Sequence, residues 1–188
     1  MEVIFERTSA RSYSIEVRPA SGPALRMDPA PGFDRWLPHD LQHFVVEEQL
    51  EITDGVFGRL AAGGTAATFR PVERTTADAH SARRTRRRQK DRDRAIDRQA
   101  EGGYDRSEKA TFVATHDWLA SCPDAERRGR ASDMELTLPA MRAAMSVVDR
   151  AAVDSALPSI RARLDELTSA WERIGVGECL VVTWSEQE

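Results

Sequence analysis

Cysteine is nearly missing from this chain: Cys122 and Cys179 are the two present in 188 residues. Two thiols so far apart make neither a disulfide framework nor a four-thiolate zinc site. Both are expected to be small buried side chains, reduced, in a cytoplasmic protein. Aromatic residues are sparse at 6%. The four tryptophans, Trp36, Trp118, Trp171 and Trp184, are scattered, which fits core packing better than a cofactor box. No stretch approaches the roughly 18 consecutive apolar residues of a membrane span. The start, Met1 to Arg7, lacks the basic opening and long apolar run of a signal peptide. Overall positive charge is lacking too: the net charge is −4, so the chain as a whole is not a polyanion binder. No Gly-x-Ser-x-Gly elbow, phosphate loop or dinucleotide fingerprint occurs, and Gly55-Val56-Phe57-Gly58 and Gly63-Gly64 supply none of them.

What is present is unevenly spread. Residues 74–109 hold twelve Lys/Arg against seven Asp/Glu, a net of +5, which leaves −9 for the rest. Arg83 to Arg98 is densest, with nine basic residues and three acids. Ile96 and Tyr104 are the sizeable apolar side chains between Ala82 and Ala110, so no helix face there has much to bury. The segment reads as a charged, exposed insertion at 74–109, helical or disordered, that ends near Gly102-Gly103. Everything else reads as one domain over 1–188. The insertion is a solvated face, an arm for nucleic acid or an acidic protein through Arg83–Arg98, or, in a non-catalytic structural or accessory protein, a segment that orders on a partner.

Alternation in residues 2–18, broken at Thr8-Ser9-Ala10-Arg11, predicts a β-hairpin. The Pro- and Gly-rich stretch 19–38 predicts a loop with a short strand near Ala24–Met27. Helices are expected from Pro38 to about Glu51, and from Val56 to Ala62 after an Asp54-Gly55 turn. Further helices are expected around Phe112–Leu119, from Leu138 to Ala152 with Met141, Ala144, Met145 and Val148 buried, and from Pro158 with Ile160, Leu164, Leu167 and Trp171 buried. Arg127–Ser132 reads as a polar loop. Glu178–Ser185 is apolar on both faces and reads as a central strand beside the hairpin. The expected fold is α+β, a small antiparallel sheet (the hairpin plus the last strand) packed with four to five helices, the termini close together.

The most informative stretch is Leu37 to Glu48. At about 100° per residue, with His39 at 0°, His43 falls at about 40°, Glu47 at about 80° and Asp40 at about 100°. Four titratable groups share one arc of a helix otherwise ringed by apolar residues. One reading is a divalent metal such as zinc on His39, His43 and Glu47, with His116 completing the set. His39-Asp40-Leu41-Gln42-His43 matches a zincin His-Glu-x-x-His with Asp in place of Glu, and Asp is too short for the usual protease role. The second reading is acid–base catalysis on a small molecule by His43, Glu47 and Asp40. The third is structural, with His39 capping, Asp40 favouring the helix dipole and His43–Glu47 an i,i+4 pair. His80 borders the basic run and is expected in solvent.

The block Leu-Pro-His-Asp-Leu-x-His-Phe-x-Val-Glu at Leu37–Glu47, followed by the Gly-rich turn of Asp54–Gly64, resembles a group of uncharacterised bacterial proteins. Their C-terminal pattern, a helix ending in Trp, then Gly and a strand, is similar to Leu164–Trp184. The resemblance covers about half the chain and implies no activity. It favours a shared site at His39, Asp40, His43 and Glu47 over accidental alignment.

Overall fold

The computed structural model describes residues 1–20, 22–72, 79–100 and 102–185, with the backbone alone at 79–82 and 85. The chain divides into two compact units, each built from separate stretches. One comprises Met1–Phe33, Val56–Glu101 and Ile174–Glu188; the other comprises Asp34–Gly55 and Gly102–Arg173. The segment expected as a single insertion at 74–109 is thus shared between them, the division falling at Gly102.

The first unit carries an antiparallel sheet, and with the helices the fold is α+β. Strands β1 (Glu2–Ser9) and β2 (Ser12–Arg18) form the hairpin that alternation predicts. They are followed by β3 (Leu25–Met27), the short helix α2 (Val56–Ala61), β4 (Arg70–Pro71) and β5 (Cys179–Thr183). The sheet order is β4-β3-β2-β1-β5. Val3, Phe5, Ile15, Val17 and Leu25 are buried, as period-two alternation requires. Phe57 of α2 lies against Phe5 and stacks on Trp184. On the other face, Arg26 pairs with Glu6 at 2.9 Å and with Asp28 at 3.0 Å, and Arg18 pairs with Glu16 at 2.8 Å. The Met1 ammonium donates to the Trp184 carbonyl at 3.1 Å, so residues 1 and 184 are neighbours as expected.

One strand is placed differently. Its two apolar faces predict that β5 is central, yet it pairs with β1 and forms the end of the sheet. Cys179 on it is exposed and Cys122 is half-buried, so neither thiol is the buried side chain expected.

Helix α3 (Ala79–Gln99) completes the first unit. It realises the helical alternative for the basic segment. The side chain of His80 lies outside the described residues.

The second unit is helical: α1 (His39–Gln49), α4 (Gly103–Ser121), α5 (Ala125–Met134), α6 (Leu138–Ala143) and α7 (Val147–Arg173). Ile160, Leu164, Leu167 and Trp171 line the buried stripe of α7, as their spacing predicts. Trp118 is buried as well and donates to Asp165 at 2.7 Å. Three expectations change here. Arg127–Ser132 is helix, not loop, because Asp124 accepts from the Arg127 amide at 2.9 Å and caps α5. The helix expected over Leu138–Ala152 is two helices, broken where Ser146 caps α7 by accepting from the Asp149 amide at 3.0 Å. Of its expected stripe Met145 is buried, whereas Val148 is 77% exposed. Pro158 does not open the last helix but lies within α7, on an exposed turn where its missing N–H leaves a carbonyl for water.

Candidate functional site

The Leu37–Glu48 stretch folds as expected, with residues Leu41 to Glu47 of α1 all buried. Pro38 precedes the first turn, and no side chain caps it, so His39 does not act as the cap. Leu41, Phe44, Val45 and Val46 supply the apolar surface that holds the helix in place. Its polar groups then need partners.

The partners come from α4, sixty residues or more away. Ser107, Thr111 and Thr115 recur every fourth residue and so share one face. Ser107 Oγ donates to Glu47 Oε1 at 2.7 Å. His43 Nδ1 lies 2.8 Å from Ser107 Oγ and 3.2 Å from Thr111 Oγ1. Thr115 donates to Gln42 Oε1 at 2.8 Å, and Gln42 Nε2 donates to the Leu37 carbonyl at 3.1 Å. Chain direction is opposed along this seam, since Glu47 meets the start of α4 and Gln42 its later turns.

The protons follow from the inventory of donors. Ser107 has one hydroxyl hydrogen, and the Glu47 carboxylate takes it. The short contact to His43 therefore needs a hydrogen on Nδ1, which leaves Nε2 as the lone-pair nitrogen. Nε2 faces Glu108 Oε1 at 3.7 Å, too long for a hydrogen bond. Burial, and then the neighbouring His39, push the His43 pKa down to about 3. The imidazole is neutral at neutral pH.

The four aligned residues therefore part company. His43 and Glu47 join one buried relay through Ser107, rather than pairing directly. His39 is exposed, its ring edge-on to His43 with centroids 4.6 Å apart. Asp40 is half-buried in the first turn. His116 lies five residues past Thr111, about 140° further round α4, and its Nε2 has no hydrogen-bond partner among the described residues. Among the described residues, no three His, Cys, Asp or Glu side chains gather as a metal site.

Two loop residues support this seam. Asp54 accepts from the Gly103 amide at 2.9 Å and so starts α4. Gly55 packs its backbone on the Glu47 carboxylate so closely that a Cβ would overlap it. The Asp54-Gly55 pair is thus more than a turn. A pocket of about 60 Å³ lies elsewhere in this unit, lined by Leu50, Ile52, Arg106, Lys109, Met145 and Asp149 among others. Its charges answer one another. Arg106 meets Asp149 at 3.1 Å, and Lys109 meets Asp105. A hydrogen bond from Ser146 holds the Asp149 carboxyl below its usual range, and Arg106 adds to this.

The second candidate is α3. Poor in apolar residues, it is docked mainly by polar ones. Asp93 accepts from Thr65 N at 2.8 Å and from Thr65 Oγ1 at 3.0 Å. Gln89 donates to the Gly63 carbonyl at 2.9 Å, and Asp97 pairs with the buried Arg59. Ile96 sits where a Cβ on Gly64 would be, so that glycine lets the helix approach. With Asp93 at 0°, Gln89, Ile96 and Asp97 lie between about −60° and +40°. Arg83, Arg94, Arg87, Arg98 and Arg84 lie between about 80° and 180°, all exposed. Asp91 shares that arc and meets Arg94 at 3.8 Å. The acids at 93 and 97 are spent on docking, which sharpens the basic face beyond what composition shows.

Sequence reasoning singled out α1 and Arg83–Arg98 but not Ser107, Glu108, Thr111 or Thr115. The available signal was the hydroxyl recurring every fourth residue in an otherwise amphipathic helix. Comparison with protein-family models, curated proteins and solved structures returns no match.

Proposed function

We propose that the protein is an interaction module that binds double-stranded nucleic acid through the exposed face of α3. The observation that carries this reading is the division of labour on that helix. Gln89, Asp93 and Asp97 face the unit, and five arginines face away from it. Guanidinium groups match phosphate oxygens geometrically and release counterions on binding. From Arg83 to Arg98 the stripe runs about 22 Å along the axis, enough to meet both strands beside a groove about 12 Å wide. The stripe contains no aromatic side chain, so single-strand stacking has no platform. Contacts of this kind position a protein on the backbone without reading sequence.

The seam of α1 and α4 supports a structural reading. Glu47, Ser107, Gln42, Thr115 and Nδ1 of His43 are engaged with one another, and a base that titrates near 3 is poorly matched to general-base work at neutral pH.

The test is fluorescence anisotropy of a labelled duplex across a salt series. The affinity should fall with a log–log slope of about −4 to −5, for five phosphate contacts. Replacing Arg84, Arg87, Arg94 and Arg98 by Ala should flatten that slope by about 3 to 4, and the melting temperature should stay unchanged. No binding at about 50 mM salt, or a slope that the variant leaves untouched, overturns the reading. Binding to an acidic protein with no binding to duplex would do the same.

A further inference from the structure

The remaining conflict between sequence pattern and position is β5. Its residues, Cys179-Leu180-Val181-Val182-Thr183, are uncharged, rich in β-branched side chains and apolar on both faces. That is the composition of an interior strand. Yet β5 ends the sheet, and among the described residues no strand pairs with its outer side. Natural edges are guarded by lysine, proline, a bulge or an inward charge. Cys179–Thr183 has none of the first two and no charge, and its register with β1 runs unbroken from Glu2↔Thr183 to Glu6↔Cys179.

The free groups can be named. Met1 and Trp184 exchange both backbone bonds, and Arg7 N donates to the Glu178 carbonyl. Antiparallel ladders alternate, so Val182 and Leu180 also bond to β1. The N–H and C=O of Cys179, Val181 and Thr183 then point out of the sheet. Val181 is 52% exposed, and Cys179 and Thr183 are exposed too.

We infer that this edge pairs with the same edge of a second copy of the chain. The strand is self-complementary. With a two-fold axis at Val181, that residue faces its own copy, and Cys179 faces Thr183 in both directions. Each of these pairs has inward-facing N–H and C=O groups on both strands, so every free group is answered. No like charges meet. The pairing makes β5 central in a continuous sheet, which is what its composition predicts. Two five-residue strands bury less than the roughly 1,200 Å² of a standard interface, so the dimer is a weak, concentration-dependent one. Cys179 does not face its own copy, so no disulfide is involved and reductant has no effect.

The test is sedimentation velocity of the full chain, in reductant and without nucleic acid, over a roughly hundredfold concentration range. The wild type should shift reversibly from monomer to dimer. Val181→Pro removes an outward N–H and leaves the β1 ladder intact, so it should stay monomeric with an unchanged circular dichroism spectrum. Val181→Lys keeps the backbone and adds a guard, and should weaken the dimer at least about tenfold. Should the proline variant misfold, the lysine variant decides, together with hydrogen exchange: the amides of Cys179, Val181 and Thr183 should slow as concentration rises. A wild type that stays monomeric throughout, or a Val181→Lys protein that dimerises equally well, overturns the inference. Nucleic-acid binding is scored separately, so either proposal can fail alone.

Discussion

Two regions concentrate the ionisable side chains of this protein, and they treat them in opposite ways. Along α1 and α4, the polar groups of the seam are joined in a chain, with Nε2 of His43 left over. Ser107 gives its hydrogen to Glu47, His43 gives its own to Ser107, and Thr115 gives to Gln42. Along α3 the groups are sorted by face instead. Asp93, Asp97 and Gln89 turn inward to Thr65, Arg59 and the Gly63 carbonyl, and five arginines turn outward with Asp91 among them. A closed network has little left to offer a ligand and contributes order to a core. A sorted face has its chemistry left over. The difference moves the search for function from the histidines, where the sequence pattern is densest, to the arginines, where it looks blandest.

The comparison breaks first at Gly55, if it is wrong. A methyl group there would displace the Glu47 carboxylate from Ser107, where both side chains are buried. Gly55→Ala should cost about 2–4 kcal/mol, read as a lower urea midpoint with an unchanged slope. A change of less than about 0.5 kcal/mol would mean that the seam is open enough to rearrange, and the closed description would fail. Ser107→Ala comes next. It removes the bridge and leaves Glu47 and Nδ1 of His43 without their shared partner, for an expected loss of about 1–3 kcal/mol. Ser107→Thr keeps the hydroxyl and should restore most of that loss, which an effect of volume alone would not predict.

Much of this architecture is legible in the residues, and the exceptions have causes. The hairpin follows from alternation at Val3, Phe5, Tyr13, Ile15 and Val17. The burial of α1 follows from apolar residues nearly encircling it. The end of the basic segment follows from its double glycine. Helix α5 escaped because only Ala131 on it is buried, so it has no apolar period to read; its signal was the cap at Asp124. Pro158 misled because proline both opens helices and, on an exposed turn, rides within them. The break at Ser146 hid inside a run of good helix formers. Of the candidate site, α1 is legible as one arc, but its pairing with Ser107 and Thr111 is not, because hydroxyls recurring every fourth residue mark a face and not the partner, which lies sixty residues or more away. The position of β5 could not be read because composition reports the surroundings a strand is suited to, and the edge it occupies in a single chain is something else.

The last expected effect is a slope, and it bears on the contrast most directly. His43 binds its proton near pH 3 in the folded chain, against an ordinary value of 6.5 in the unfolded one. Between those values the unfolded state holds more protons than the folded state. Stability therefore rises with pH across that window, is fully present above about 6.5, and is lost as the pH falls towards 3. One group contributes at most about 1.4 kcal/mol per pH unit. His43→Asn keeps a donor close to the position of Nδ1, so the bond to Ser107 can survive, but it cannot titrate. Urea unfolding of both proteins at a series of pH values between 4 and 7 should show the wild-type curve steeper by up to that amount. The arginine face of α3 should leave the curve unmoved, because exposed guanidinium groups stay charged throughout. Parallel curves for wild type and His43→Asn would mean that His43 takes up its proton as readily folded as unfolded. Nε2 would then be open to solvent, the relay would be accessible, and acid–base chemistry at α1 would again be the better account of this protein.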